Sequence, residues 1–465
     1  MPMVALVAFG ATMGGLVVLW PGSACMVTVL VAVGLALNRW SDPADRRFLV
    51  RLYTAAMVAR IIMVGVVHLW AIYHGMGWVR YGYASFDVFG DSAWTSLKGW
   101  LNALVWLGQL DRYTLDRTSL TIASQDPYVY LYAVFHWLFG FSQVAVKFIN
   151  SLLGVTIALI AYDIVRDLAG RREAAIAAGL IAFFPSAFLW SLGNLKDVPN
   201  SLGVIWAYWA MRRLIQRGLR ATLLLHLVGA VGFLHIIRPP VAFATSLCIL
   251  LGVLWSVLWG RHGRVVIAGL MIMTLAVFYV APNRAGVEPT RFWHATLESQ
   301  LRKLVGPQVG QTSSEGSSYQ LYDEQIYRPQ SQGGGGAAVW RLTLSGLAWA
   351  FIKGWGYFLL APAPWALHTL LQAITVPEMM VWYVLLVLAA WGAWRLMRAA
   401  PVEGGMLVAW IIVLSSLNAL TTGNVGVAFR HRSLVIPFYV MLSAIGLIPA
   451  WEWIRRSRAV TLPLL

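Results

Sequence analysis

The sequence has few charged residues and very little cysteine. Only 12% of its 465 residues are charged, whereas an ordinary soluble domain carries about 25%. Hydrophobic residues make up 59% of the chain, in several uncharged runs long enough to cross a bilayer. A soluble fold is therefore excluded, and we expect an all-α polytopic membrane protein. Because Cys25 and Cys248 each lie inside an apolar run, a disulfide framework and a cysteine metal site are excluded too.

Acidic residues are also scarce, with 19 Asp and Glu against 35 Lys and Arg. The net charge of +16 would be compatible with nucleic-acid binding, but the basic residues stand in short clusters between apolar runs. That pattern is typical of the cytoplasmic loops of a membrane protein. The clusters lie at 39–47, 166–172, 212–220, 261–264, 395–398 and 455–458. We therefore expect a protein of the cytoplasmic (inner) membrane. Its basic residues are expected to lie beside the lipid bilayer and not to bind nucleic acid.

The apolar runs predict a single transmembrane domain over 1–465, a bundle of about 11 to 14 spanning helices. Residues 128–142 are either half of a tight hairpin or a helix at the membrane interface. The Pro-rich sequence at 361–365 excludes an uninterrupted helix over 345–375. The predicted spans are 3–19, 24–37, 48–72, 146–165, 174–192, 200–211, 221–237, 241–259, 265–281, 379–397, 405–420 and 433–449.

Two long hydrophilic segments, 76–127 and 282–344, fall on the opposite side of the membrane from the basic clusters. The first outer loop is expected to hold a catalytic acid and interfacial helices. The second contains a Ser-rich run at 313–318 and a glycine run at 333–336, so part of it is expected to be mobile. The active site is therefore expected on the outer face.

Two carboxylates stand in the first outer loop, at Asp87 and Asp91. In a region that is rich in aromatics and poor in charge, such a carboxylate can act as a general base. Asp91 fits the N-cap of a following helix equally well. Asp126, before Pro127, is a third acid that is better explained by a turn than by catalysis, and it is kept as a substrate-binding candidate.

Cations stand at several predicted outer boundaries. Lys196 and Asp197 share a short turn, where they could bind a phosphate or orient a substrate, or simply form a solvated turn capped by Asp197. Arg238 precedes two prolines, and a basic run at 430–432 precedes a span. Because charges there cost free energy unless they are paired, they indicate anion binding, with lipid headgroup anchoring as the alternative. No helical histidine pair has metal-ligand spacing, so no metal ligand is assigned.

The order of these motifs resembles the GT-C superfamily of membrane glycosyltransferases, which includes the protein O-mannosyltransferases and the lipid A aminoarabinose transferases. Relatives carry an essential acid in the first outer loop, then a proline-aromatic segment, a Phe-Gly turn, a basic turn, a polar turn after proline and a closing Arg-rich turn. The similar stretches here are Phe89-Gly90-Asp91-Ser92-Ala93-Trp94, Asp126-Pro127-Tyr128, Phe139-Gly140, Gly170-Arg171-Arg172, Phe184-Pro185-Ser186 with Lys196-Asp197, and Arg430-His431-Arg432.

The resemblance implies a GT-C-like bundle that moves a sugar from a polyprenyl-phosphate-linked donor to a glycan, lipid or protein acceptor, with inversion. It makes Asp91 the general base and Asp87 its support. It requires no cofactor and leaves a divalent metal ion open. The expected donor-phosphate residues are Lys196, Arg238, Arg430 and Arg432, and the expected substrate-binding residues are Asp126, Asp197 and His431.

Three other functions remain open on the sequence. A polysaccharide polymerase or ligase that uses a lipid-pyrophosphate glycan would need the same basic outer face. A lipid-linked-sugar transporter would show polar residues across midplane helices and inverted repeats. A non-catalytic membrane subunit could retain the fold.

The first outer loop also departs from several subfamilies of the GT-C superfamily, because it lacks an adjacent Asp-Glu pair and has Trp94 near a position often held by tyrosine.

The topology can be tested with an impermeant thiol reagent. A cysteine at Ser317 should be labelled in intact cells, and a cysteine at Gln216 only after permeabilisation, because the positive-inside rule puts 212–220 in the cytoplasm. The reverse pattern would show that the outer-face site is assigned to the wrong side.

Overall fold

The computed structural model describes residues 21–40, 42–111, 127–218, 220–258, 344–367 and 370–460, together with Tyr319 and Leu321. Over these residues the secondary structure is helical apart from one two-stranded hairpin, which confirms the all-α prediction. The elements in chain order are α1 (Pro21–Trp40), α2 (Pro43–Tyr73), β1 (Gly77–Arg80), β2 (Tyr83–Phe86), α3 (Gly90–Trp106), α4 (Pro127–Phe139), α5 (Gln143–Ala169), α6 (Arg171–Phe183), α7 (Pro185–Trp190), α8 (Asp197–Arg217), α9 (Ala221–Ile237), α10 (Pro239–Leu258), α11 (Leu344–Leu360), α12 (Leu370–Ile374), α13 (Val376–Ala399), α14 (Pro401–Thr421), α15 (Val425–His431), a 3-10 turn (Arg432–Leu434) and α16 (Ile436–Val460).

Several of these helices can cross a membrane. Among the described residues, five are long and apolar enough by length and composition, namely α2, α5, α10, α13 and α14. A sixth candidate is the pair Val425–Leu434 and Ile436–Ile448, which is bent by 65°. The predicted polytopic architecture is thus confirmed. The predicted spans over 3–19 and 265–281 lie outside the described residues, as does the expected mobile part of 282–344.

The chain divides into two compact units. The first unit comprises Met1–Trp209 and His226–Ala242, and the second comprises Ala210–Leu225 and Phe243–Leu465. The two predicted acids of the first outer loop belong to the first unit, and the basic run at 430–432 belongs to the second.

Helices α2 and α5 run antiparallel in the first unit and define its two ends. At one end Asp45, near the start of α2, pairs with Arg166, near the end of α5, and with Arg171 at the start of α6. We call this the basic end. At the other end the Nζ atom of Lys147 on α5 lies 3.4 Å from Nδ1 of His68 on α2. We call this the site end, because Asp87 and the turn at 191–196 also lie there.

The hairpin β1–β2 was not expected from the sequence. Arg80 pairs with Tyr83 across a two-residue loop, in which Tyr81 has φ of 54° and Gly82 has φ of 78°. Two consecutive positive φ values are those of a type I′ turn, whose twist matches that of the flanking strands. The usual signal for this turn is Asn-Gly, and a tyrosine at positive φ is uncommon, so the sequence pattern gave little indication of it.

The predicted span over 174–192 is broken into α6 and α7. Phe184 is extended, with φ of −62° and ψ of 122°, because the following Pro185 disfavours the helical conformation of the residue before it. The carbonyls at the end of α6 therefore lack partners within their own helix. Arg60 of α2 provides a hydrogen-bond donor for one of these carbonyls, because its Nη2 atom donates to the carbonyl of Ala182 at 2.8 Å.

A second interruption lies in the second unit, where α11 ends before Ala361-Pro362, as the predicted break in 345–375 requires. Buried Arg432 donates hydrogen bonds to two backbone carbonyls here. Its Nε atom donates to Phe358 at 3.0 Å, and its Nη2 atom donates to Ala361. Trp382 and Tyr383 of α13 donate to the two carbonyls between them, at 2.8 and 2.7 Å. The carbonyls of residues 358 to 361 thus all accept hydrogen bonds from side chains.

Replacing Arg60 by Met should destabilise the protein, because Ser191 and the Ala182 carbonyl would lose a donor inside the bundle. We expect a loss of roughly 1–3 kcal/mol for each buried group left without its partner, seen as a lower melting temperature in detergent. Arg51→Met is the matched control, since Arg51 lies on the same helix but is exposed. Equal melting temperatures for the two variants would contradict this role of Arg60.

Candidate active site

Asp87 is the centre of a buried polar cluster at the site end of the first unit. Its Oδ2 atom lies 3.0 Å from Nζ of Lys147, and the side chains of Lys147 and Asp87 are only 2% and 1% exposed. Its Oδ1 atom accepts the backbone N–H of Phe89 at 3.1 Å. Lys147 also lies 3.4 Å from the carbonyl of Phe86. The carboxylate of Asp87 therefore fixes the backbone of the loop and neutralises the positive charge of Lys147 on α5.

Ser92 joins the first outer loop to the turn at 191–196. Its hydroxyl donates to Oδ2 of Asp87 at 2.5 Å and accepts the backbone N–H of Asn194 at 2.6 Å. The two polar patches that the sequence singled out, around Asp91 and around Lys196, are thus in direct contact. The contact is close, because a Cβ atom on Gly193 would lie 2.8 Å from the ring of Phe89.

Side chains of α5 and α2 form hydrogen bonds with the turn at 191–196. The side-chain amide of Asn150 donates to the carbonyls of Gly193 and Leu195, at 2.6 and 3.0 Å. Ser151 donates to the carbonyl of Ser191 at 3.1 Å, and Nε of Arg60 donates to the Ser191 hydroxyl at 2.9 Å. Because its carbonyls are bound to buried side chains, the turn is fixed relative to α2 and α5.

Asp91 lies in the first turn of α3 and is exposed. The N-cap of this helix is Phe89, which makes no side-chain capping bond, so Asp91 does not occupy the N-cap position that the alternative interpretation required. Its carboxylate stands one residue before Ser92, at the surface of the site end. Its role as general base stays a prediction.

The predicted cations of the first unit also lie at the site end. Lys196 is partly exposed, and its carbonyl accepts the backbone N–H of Asn200 in the first turn of α8. Asp197, the first residue of α8, is 4% exposed. Arg238 stands at the junction of α9 and α10, next to Ile237, which packs in a buried cluster with Tyr128, Tyr132 and Val146. Val146 is the neighbour of Lys147 on α5.

The basic run of the second unit has two environments. Arg430 and His431 end α15 and are partly exposed. Arg432 is 2% exposed, and besides the two carbonyls at the end of α11 its guanidinium contacts the sulfur of Met379 at 3.0 Å. The guanidinium of Arg432 is therefore engaged in packing, whereas Arg430 is partly exposed. The phosphate-binding role of both residues stays a prediction.

Asp126 lies outside the described residues. In the described part of the chain no group of three or more His, Cys, Asp and Glu residues is placed to hold a metal ion.

Three buried residues of the site were missed in the sequence: Lys147, Asn150 and Arg60. Arg60 lies inside the predicted span 48–72, and Lys147 is the second residue of the predicted span 146–165. A charge within a spanning helix is costly and usually functional, so this was a usable signal. Asn150 gave no such signal, because a single asparagine in a helix is compatible with many environments.

The sequence matches the family model described as dolichyl-phosphate-mannose-protein mannosyltransferase over residues 127–285. This range includes Lys147, Asn194, Lys196 and Arg238, and begins after the first-loop acids. A search of curated proteins finds no match.

Solved structures of an oligosaccharyltransferase from Archaeoglobus fulgidus are also similar, each with a TM-score of 0.45. The complex of archaeal AglB with an inhibitory peptide and a dolichol-phosphate is 16% identical, and 88% of this chain and 51% of that chain are covered. The apo form gives the same values. A form tethered to an acceptor peptide with the NVT sequon is 13% identical, with 88% and 50% covered. The chain thus spans about half the length of these structures. The family match, which covers residues 127–285 of the 465, agrees over that range with the predicted resemblance to membrane glycosyltransferases of the GT-C type.

Proposed function

We propose that the protein transfers a sugar from a polyprenyl-phosphate donor to an acceptor hydroxyl at the outer face of the cytoplasmic membrane. Asp91 acts as the general base on the acceptor, and the anomeric configuration is inverted. The observation that carries this proposal is the difference in environment between the two acids of the loop. Asp87 is buried in contacts with Lys147, Ser92 and Phe89, whereas Asp91 is exposed beside it.

The position and the charge of the site support this donor class. The matched family is described by a dolichyl-phosphate-linked mannose, in which the leaving group is a lipid phosphate. Such a phosphate sits at the membrane boundary while its tail lies among apolar helices. Lys196 and Arg238 stand at the site end of the first unit, and they would stabilise the charge that grows on the departing phosphate.

The orientation agrees with the separation of charges in the first unit. Arg166 and Arg171 lie at the basic end and Asp87 at the site end, so a helix pair separates them. Under the positive-inside rule the basic end faces the cytoplasm and the site end faces outward. A lipid-linked donor that has been moved to the outer leaflet would meet the site there.

The proposal is tested by incubating the purified protein with a panel of polyprenyl-phosphate sugars and measuring release of the lipid phosphate and formation of a glycosylated acceptor. A lipid-pyrophosphate glycan is included in the panel. Turnover of the monophosphate sugars supports the proposal, and turnover of only the pyrophosphate glycan supports a polymerase or ligase instead. If no member is turned over while the donors bind and cross vesicle membranes, the transporter is the better assignment.

Asp91→Asn should lower turnover about 100-fold or more, the usual scale for loss of a general base. The melting temperature should stay near that of the wild type, because Asp91 is exposed. Asp111→Asn is the matched control, since Asp111 is an exposed acid in the same predicted loop. Near-normal turnover of Asp91→Asn would remove the base from this residue.

Replacement by lysine should separate Arg430 from Arg432. Lysine keeps the charge but lacks the planar fork, so Arg430→Lys should weaken donor use with little change in melting temperature. Arg432→Lys should lower the melting temperature, because an ammonium cannot reach all the acceptors that the guanidinium binds. Donor titrations and thermal denaturation of both variants check this. Unchanged donor kinetics in Arg430→Lys and Arg430→Ala would remove Arg430 from the site.

A further inference from the structure

We propose that Lys147 and Ser92 are positioning residues, which hold the loop that carries Asp91 in a fixed place against the turn that carries Lys196. The inference rests on the proposed function, because it concerns the alignment of the proposed base with the proposed phosphate-binding lysine. Neither Lys147 nor Ser92 would touch the substrate.

The contacts form one continuous chain across the site end. It runs from Nζ of Lys147 to Oδ2 of Asp87 at 3.0 Å, then to the Ser92 hydroxyl at 2.5 Å, and then to the backbone N–H of Asn194 at 2.6 Å. Asp91 directly precedes Ser92, and Lys196 follows Asn194 by two residues. Each of the two predicted functional residues is therefore next to, or nearly next to, a member of the chain.

The direction of each bond in this chain is fixed by chemistry. A serine hydroxyl has one proton, and the backbone N–H of Asn194 can only donate. Ser92 must therefore accept from Asn194 and give its own proton to the carboxylate of Asp87. Lys147 supplies the positive charge that balances this carboxylate. Removal of the Ser92 hydroxyl would break the link at both of its bonds.

Stability alone is a weak reason for such a pair. Taking two charges out of water costs free energy that their attraction often fails to repay, and a buried ion pair can often be replaced by apolar residues without loss of stability. A pair that is 2% and 1% exposed, on a spanning helix and a loop, is therefore better explained by what it aligns. Lys147 is suited to this, because it contacts the loop at Phe86 as well as at Asp87.

The decisive variant removes both charges. Asp87→Asn and Lys147→Met should each lower the melting temperature, because each leaves a buried charge without its partner. The double variant should regain most of the melting temperature, yet its kcat should stay at least about tenfold below the wild type, with a smaller change in KM. Recovery of kcat together with the melting temperature would overturn the proposal and leave the pair a purely structural one.

The matched control is the charge cluster at the basic end, where Asp45 pairs with both Arg166 and Arg171. The double variant Asp45→Asn/Arg171→Met removes a carboxylate and a cation from the same unit, far from the loop. Its kcat, measured below its melting temperature, should stay within about twofold of the wild type. If it loses kcat as strongly as the site-end double variant, the effect is general and the proposal is overturned.

Ser92→Ala provides a test that does not change charge, and so covers the case in which the double variant fails to fold. It should lower kcat at least about tenfold with a small change in melting temperature. An unchanged kcat in Ser92→Ala would overturn the proposal.

A measurement without turnover separates this inference from the proposed function. Spin labels on cysteines placed at Asp91 and Lys196, after replacement of Cys25 and Cys248, should give a narrow distance distribution. The distribution should broaden when Asp87→Asn/Lys147→Met or Ser92→Ala is added. An unchanged width overturns the positioning role whatever the rates are. If the unlabelled wild-type protein transfers no sugar but the distribution broadens in the labelled variants, the positioning role stands and only the proposed function is refuted.

Discussion

The structure depends on supplying hydrogen-bond donors to backbone carbonyls where helices are interrupted. In a hydrocarbon surrounding there is no water to satisfy a carbonyl, so a break in a helix is tolerated only where protein groups replace the missing partner. In each unit a buried arginine does this. Arg60 donates to Ala182 at the end of α6, and Arg432 donates to Phe358 and Ala361 at the end of α11. A guanidinium suits this task, because its several N–H groups point in different directions.

The candidate site is a consequence of the first of these interruptions. The break at Pro185 lets the chain leave α6 early, form the short α7 and enter the turn at 191–196 within the bundle. Arg60, which caps the break, also binds Ser191 at the beginning of that turn. The turn then meets the loop through Ser92. Support therefore passes from the middle of α2, through the turn, to the loop that carries both acids.

The sequence predicted the parts of this arrangement that depend on local composition. Apolar runs located α2, α5 and α14 to within a few residues, and scarcity of charge drew attention to Asp91 and Lys196. The sequence could not predict the contacts between distant residues, such as Arg60 with Ser191, which are 131 positions apart. It also missed the hairpin, because the turn at Tyr81 lacks the usual residues. Local pattern gives the elements, while the pairing of buried polar groups is decided by the packing of whole helices.

The charge within α2 also bears on how the protein is made. During synthesis α2 enters the membrane before Ser191 and the end of α6 exist, so Arg60 has none of its later partners from those segments. An arginine at the centre of an inserting helix costs roughly 2.5–3.5 kcal/mol on the translocon scale. The long apolar stretch of α2, with a mean hydropathy of 2.0 over its best window, offsets this penalty. The surplus of apolar residues in α2 therefore serves insertion by the translocon as well as the crossing of the finished bilayer.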